Sequence, residues 1–564
     1  MSVRAEPEWL VTNGLGGFAS ATVSGALQRR YHGHLVAALP APLGRVVMLS
    51  GIGEQTVVDD SAAADLGAGG GELTMDRGLP VWTYNVGAHR LEKRVVMPRG
   101  QNTVHLVYRL LGGAGALELR LLPRLAFRRL EDAVSVPLGS YAVSAVAPGR
   151  YEIQGDAPMP RLRIACPGGE LTGAQESVVD HVYAMEAARG YEASGRLWSP
   201  GPIRLRVEAG RDATLAASTE SWDALLALGG AEAIVAEAYR RDRLVAIASP
   251  RATAAVVGDP GGGPAEDSAA AATLVLAADQ FLIAPEARVA ETARVQTAGD
   301  QVRTVIAGYH WFTDWGRDTM ISLEGLALAT GRHREAGAIL RTFGKYVRHG
   351  LIPNLFPEGD VEGVYHTADA TLWFVHALHR YVTATGDRRT LVGMLPLLRE
   401  IVEAHVRGTD FHIGVDPADG LLHQGEEGYA LTWMDAKVGD WVVTPRRGKA
   451  VEIQALWYNA LRLVEGWVGE ERGGPAAEQY RVLADRVRVS FNTRFWFAAG
   501  GHLYDVVDGP EAVDDSTCRP NQLFALSLEH PVLDRARWRA VLDVVSERLL
   551  TPVGLRSLAP GSPD

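Results

Sequence analysis

The sequence predicts a multidomain protein of β then α class: a β-sandwich or supersandwich over residues 1–245, then a toroid of α-helices over residues 266–564. Three observations carry this. Short apolar segments with period-two patterning recur through the first part, separated by Gly, Pro and Asn clusters. The apolar period then changes to that of a helix. Finally, paired helical stretches alternate with long polar and aromatic loops, which places a site at one end of a ring.

In the first part, Val46-Val-Met-Leu49, Asn102–Tyr108, Ala116–Leu122 and Ile203–Val207 read as strands, their regular spacing fitting a sandwich. A helical patch from Ser221 to Arg243 follows. Residues 246–265, rich in Gly, Pro and Ala, read as a linker. Beyond it, Ala269–Ile283 is one apolar helix. Further helices are expected at Asp318–Thr330, Arg334–Arg348, Thr367–Thr385, Arg388–Val406, Lys449–Val468, Ala476–Phe497, Pro520–Leu528 and Asp534–Leu550. Gly331 and Gly386 stand where C-caps belong. The long loops are 284–315, 350–366 and 409–447.

Composition narrows the function. Of 564 residues, 47% are hydrophobic and 22% charged, as in ordinary globular domains. A net charge of −11 without a Lys/Arg block argues against nucleic-acid binding. No apolar run is long enough to cross a membrane, and the N-terminus does not read as a signal peptide. Cys166 and Cys518 lie far apart, which fits a reducing, cytoplasmic compartment better than a disulfide framework.

Four segments hold the polar and aromatic groups. The densest, Gly308-Tyr-His-Trp-Phe-Thr-Asp-Trp-Gly-Arg-Asp-Thr319, sets Trp311 and Trp315 beside Arg317 and Asp318 at a helix start. Flat rings cover pyranose faces and charged groups bond hydroxyls, so this is what a sugar site needs. The plainer reading is an Asp helix cap beside a solvated Arg. The second segment holds Asn354 and then His366, Asp369 and Trp373, the last two on one helical face; His366 alone would read as an ordinary surface histidine. In the third, Leu431-Thr-Trp-Met-Asp-Ala-Lys437, the Asp435 carboxylate lies between indoles with Lys437 two residues on. An apolar wall raises a carboxyl pKa and a cation lowers it, so such a group can be tuned as an acid, or can be a surface ion pair. The fourth places Glu452 on the first turns of a helix, where a contribution to the helix dipole is equally open.

Other motif classes fail. Gly14-Leu-Gly-Gly17 has no strand–helix setting for a dinucleotide, and the Gly triplets at 69–71 and 261–263 lack the Lys-Ser/Thr of a phosphate loop. The 16 His form no HExxH cluster, so no metal and no cofactor is expected.

With these residues in hand, the chain resembles glycogen-debranching enzymes of the amylo-α-1,6-glucosidase type, in their short bacterial form. Trp9–Gly17 and Arg29-Arg-Tyr-His-Gly33 resemble the opening of that family's β-rich domain. Trp315-Gly-Arg-Asp318, His349-Gly-Leu-Ile-Pro-Asn354, Thr432-Trp-Met-Asp435, Pro445-Arg through Val451-Glu452-Ile, Arg519-Pro-Asn-Gln522 and Thr551–Leu558 follow in the family's order. The resemblance implies an (α/α)6 barrel and inverting hydrolysis of α-1,6-linked glucose at the branch points of glycogen or a related α-glucan. It implies Asp435 as general acid, Arg317 and Asp318 gripping the terminal glucose, and Asp369 and Glu452 as further hydroxyl contacts. Trp311, Trp315 and Trp433 would be stacking platforms, with Asn354, His366, Trp373 and Lys437 completing the substrate contacts. It implies too that the toroid is incomplete at its C-terminus, because family members continue past Ser557-Leu-Ala-Pro560 with the segment that carries the base. Two other readings stand beside this one: an α-glucan-binding protein of impaired catalysis, and a glucoamylase-like exo-α-1,4-glucosidase.

Overall fold

The computed structural model describes residues 6–57, 63–113, 115–172, 176–248, 264–286, 295, 297 and 299–562. Most of the expected linker therefore lies outside the described residues. The chain divides into two compact units. One comprises Met1–Thr313 with the short returns Ala329–Arg332 and Pro357–Val361; the other comprises Asp314–Leu328, His333–Phe356 and Glu362–Asp564.

The first unit is built on three antiparallel sheets. One is a meander of Glu8–Thr12, Phe18–Thr22, Gly33–Leu39 and Gly44–Leu49, with Arg128–Arg129 at its edge. An eight-stranded sheet has Thr103–Gly112 and Ala213–Ser218 near its centre, and a five-stranded sheet pairs Ala116–Arg124 with Ile203–Glu208 and Gly51–Val57. The four segments expected as strands are strands. Ile203–Glu208 alternates buried and exposed along its length, as a sheet with one wet face requires. Trp9 and Trp82 meet edge to face in the core at 5.4 Å, and each indole N–H finds a backbone carbonyl. Gly14–Gly17 turns the chain between the first two strands. A Cβ on Gly17 would lie 2.8 Å from Val36 O, so only glycine fits there.

Two helices close this unit, α1 (Gly230–Ile247) and α2 (Pro264–Phe281). The sequence places α2 at the head of the second domain; in the structure it packs within the first unit. Its Asp279, 4% exposed, gathers Arg240 at 2.6 Å, Arg332 at 2.5 Å and Arg99 at 3.3 Å. Burial alone would raise this carboxyl, but the three guanidiniums hold it well below the usual range.

The second unit is helical. Its elements are α3 (Gly316–Leu323, continued by a π turn at Glu324–Leu328), α4 (His333–Lys345), α5 (Ala370–Thr385), α6 (Arg388–Arg407), α7 (Val451–Arg472), α8 (Gly474–Arg494), α9 (Phe524–Ser527) and α10 (Trp538–Arg548). Gly386 ends α5 in the left-handed region at φ 69°, and Asp387 starts α6 by accepting Thr390 N–H at 3.0 Å. Helix α7 is buried on nearly every face through Leu461, as an inner helix must be. Helix α8 buries only the stripe Ala477, Tyr480, Ala484, Val487 and Phe491, which marks an outer one. Pairs of this kind, α5 with α6 and α7 with α8, build the helical-hairpin toroid, and the long loops between them carry the polar residues. Among the described residues, no helix is long and apolar enough to cross a membrane. Cys166 and Cys518 are buried and unpaired.

Candidate functional site

In the second unit, the start of α3 presents Arg317 into a cluster of carboxylates. Gly316 N–H bonds Asn354 O at 2.6 Å, and a Cβ on Gly316 would meet Pro353 O at 2.1 Å, so the close approach of the two segments depends on that glycine. Arg317 Nη2 donates to Asp435 Oδ2 at 2.6 Å and Nη1 to Thr432 O at 3.3 Å. Asp369 Oδ1 lies 3.7 Å from Nη1, and Asp318 Oδ2 lies 4.0 Å from Nε. One buried guanidinium therefore faces three carboxylates from three parts of the chain. Burial works against its charge, but Asp369 and Asp435 outweigh that and raise it above the ordinary arginine value.

The carboxylates differ. Asp369, 1% exposed, ends the approach to α5; its Oδ1 accepts Thr367 Oγ1–H at 2.7 Å, while its Oδ2 is enclosed with no hydrogen-bond partner. Asp318 Oδ2 is enclosed likewise. Burial pushes both carboxyls up, Arg317 opposing it. The Asp435 side chain is 31% exposed and so remains reachable. His366 completes the group. Burial lowers its pKa, Asp435 opposing the shift while Arg317 and Lys437 add to it.

The Asp435 segment is pinned from behind. Trp433, 38% exposed, donates its indole N–H to Asn521 Oδ1 at 2.9 Å, and Ala368 N–H bonds Leu431 O at 2.8 Å. Asn521 Nδ2 donates to Asp505 Oδ1 at 2.8 Å, and Asp505 in turn holds Arg446 at 2.7 Å. Arg446 also grips both oxygens of Glu452 and reaches Thr432 Oγ1 at 3.3 Å. Sequence reasoning missed Asp505 as part of this network and did not assign Arg446 or Asn521 a role.

Several expected contacts lie elsewhere. Glu452 is 2% exposed and accepts from Arg446 with both oxygens, which makes it a buried strut behind the cluster. Trp373 is buried and meets His376 and Phe524 in T-shaped contacts at 5.4 and 5.3 Å. Asn354 accepts Gly316 N–H through its backbone at the α3 start, and its buried side-chain Oδ1 has no hydrogen-bond partner. Trp315, half-buried, pairs by its backbone with Leu355. Lys437 is exposed and bonds Gly428 O at 3.0 Å. Trp311 belongs to the first unit, where the Arg29 guanidinium sits 5.4 Å from its ring centroid and Tyr31 meets it edge-on.

Among the described residues, Glu8, His32 and His310 of the first unit place potential metal-ligand atoms within 4.8 Å of one another. The donor set does not fit a cation. His32 Nδ1 accepts the Gln28 and Arg29 amides at 3.2 and 3.4 Å, so Nε2 carries the proton, and Arg29 Nε already occupies Glu8 Oε1 at 2.6 Å.

Comparison with known proteins agrees with this architecture. Residues 276–564 match the family described as amylo-alpha-1,6-glucosidase, and residues 7–214 match the glycogen debranching enzyme N-terminal family. The glycogen debranching enzyme of Saccharomyces cerevisiae is 26% identical over 347 residues, covering 46% of this chain and 22% of that protein. The match thus spans about a fifth of that relative's length. A bacterial glucoamylase solved with acarbose superposes with a TM-score of 0.54 at 12% identity, over 98% of this chain and 80% of that one, which supports the six-hairpin toroid as the fold. The chain belongs to the amylo-alpha-1,6-glucosidase family of glycoside hydrolases.

Proposed function

We propose that the chain acts on α-glucans, hydrolysing the α-1,6-linked glucose of branch points with inversion, and that Asp435 is the general acid. The observation that carries this reading is the pair of enclosed carboxylate oxygens, Asp318 Oδ2 and Asp369 Oδ2, on two carboxylates that both face Arg317. A buried acceptor without a donor is costly, and sugar hydroxyls are donors of the right size and number. A terminal glucose held there would satisfy both acceptors and take hydrogen bonds from Arg317. It would then lie against Asp435, which Arg317 holds in place.

In an inverting hydrolysis the acid protonates the leaving oxygen as the anomeric bond breaks, while a water attacks the anomeric carbon from the opposite face and gives its proton to a second carboxylate acting as base. We read Asp435 as the acid of that pair. Asp435 is suited by position: reachable from solvent, oriented by Arg317 and carried on a segment fixed through Trp433 and Thr432. The test is glucose release from a branched limit dextrin against an unbranched maltooligosaccharide. Release from the branched substrate, abolished in Asp435→Asn, is expected. Comparable turnover of the linear chain would instead favour a glucoamylase-like activity, and glucan binding without turnover would favour a binding protein.

A further inference from the structure

The segment that carries Asp435 does not end at its carboxylate. It continues into a tight hairpin, Lys437 pairing with Val442 and Val438 with Trp441, and Val443 N–H returns to Ala436 O at 3.0 Å. Val443 then helps to line a cavity of about 530 Å³, together with Val506, Pro510 and Val513. Val443, a wall of the cavity, is thus hydrogen-bonded across the hairpin to Ala436, the residue after Asp435, and the cavity's volume lies within the range of ordinary ligand clefts.

Three side chains give it chemical character. Trp441 is 63% exposed on the rim, an indole with nothing covering most of it. Arg447 has no carboxylate within ion-pair reach among the described residues, and its Nε is enclosed without a hydrogen-bond partner. Its neighbour Arg446, by contrast, is fully committed to Glu452 and Asp505. Asp515 adds a carboxylate to the same lining. Arg446 and Arg519 also line the cavity, but both face Asp505, at 2.7 and 3.6 Å, so their charge is met within the protein. A flat ring, the Arg447 donor fork and the Asp515 acceptor then suit an uncharged polyhydroxylated chain.

A general acid delivers its proton to the leaving group, so the leaving chain must lie on the acid's side. We propose that this cavity is the subsite for the α-glucan chain that departs, with Trp441 stacking on a glucosyl face and Arg447 donating to hydroxyls. The proposal rests on the reading of Asp435 as the acid.

The experiment is calorimetric titration of maltotetraose into the full chain and into the Trp441→Ala, Trp441→Phe, Arg447→Ala and Asp435→Asn variants. Trp441→Ala and Arg447→Ala are each expected to weaken binding by about tenfold. Trp441→Phe should restore most of the affinity, and Asp435→Asn should bind as the unaltered chain does. Trp441 is too exposed for its truncation to disturb the core, and Arg447→Ala gives a second, independent readout. Undiminished binding by Trp441→Ala or Arg447→Ala would overturn the assignment, as would no binding by the unaltered chain. Dextrin hydrolysis that survives Asp435→Asn would instead remove the acid assignment, whatever the Trp441 variants bind.

Discussion

Arg317 Nη2 and Asp435 Oδ2 lie 2.6 Å apart although 118 residues separate them in the chain, and the pair joins the start of α3 to the loop before α7. The guanidinium is 8% exposed at its side chain and the carboxylate 31%, so one partner is fixed and the other can be reached. Replacing Asp435 by Asn keeps the shape and removes the proton donor. Hydrolysis of branched dextrin is expected to fall by roughly 10²–10⁴-fold, with glucan affinity within a factor of about two. A paired measurement of turnover and binding decides it, and loss of both together would point to a structural role.

Arg317→Lys keeps a charge but loses the planar fork that spans Thr432 O and Asp435. One ammonium cannot hold both acceptors while also facing Asp369. Substrate affinity is expected to drop about tenfold. Circular dichroism should stay native, because Arg317 sits at a helix start and not in an apolar layer. Kinetics at several dextrin concentrations would show whether the loss lies in KM, as a gripping role requires.

Asp369 gives a pH signature. Burial raises its carboxyl above the ordinary value of 3.8, despite Arg317 and the bond from Thr367. The folded state therefore binds more protons than the unfolded one through that window, and stability contributed by this group falls as pH rises through it. Asp369→Asn should stabilise the fold at neutral pH by about 1 kcal/mol, flatten that pH dependence and weaken sugar binding. Thermal melts between pH 3.5 and pH 7, run beside a glucan titration, test all three; a destabilised variant would show the carboxylate to be structural.

Much of the fold was legible because it rests on local patterns. Gly386 stops α5 where the sequence puts a C-cap, and Thr367, expected inside the helix, instead caps its entry by accepting Ala370 N–H at 3.3 Å. The helix over 264–281 was legible as a helix, but not its unit, because Asp279 is claimed by arginines from three distant segments. The cluster of Arg317, Asp318, Asp369 and Asp435 could be read because three of its members sit in aromatic motifs. Asp505 could not, since its partners Arg446 and Asn521 stand 59 and 16 residues away and nothing local marks it. Glu452 shows the limit from the other side: a helix-start glutamate looks the same in sequence whether it faces a ligand or an arginine, and here it faces Arg446.

That strut supplies a last prediction. Arg446 is a buried cation with two carboxylates, Glu452 and Asp505, each about 2% exposed or less. Their roles are unequal. Asp505 is pushed up by burial, which Arg446 opposes and Glu452 reinforces, so part of its cost is the charge itself. Both contacts are two-pronged: Glu452 takes the two Nη atoms of Arg446, and Asp505 takes Nε and Nη2 at 2.7 and 3.0 Å, so the burial cost of the Asp505 charge is what sets the two apart. Glu452→Gln should therefore cost about 3 kcal/mol, because it removes a carboxylate from the buried Arg446 and turns one of the two prongs into a donor facing a donor. Asp505→Asn, which can still accept from Arg446, should cost less, about 1–2 kcal/mol. Denaturant melts of the two variants give the order directly. The reverse order would mean that Asp505, through Asn521 and Trp433, is the main anchor of the Asp435 loop. In that case Asp505→Asn should also blunt the quenching of tryptophan fluorescence by maltotetraose, a change that Glu452→Gln would not share.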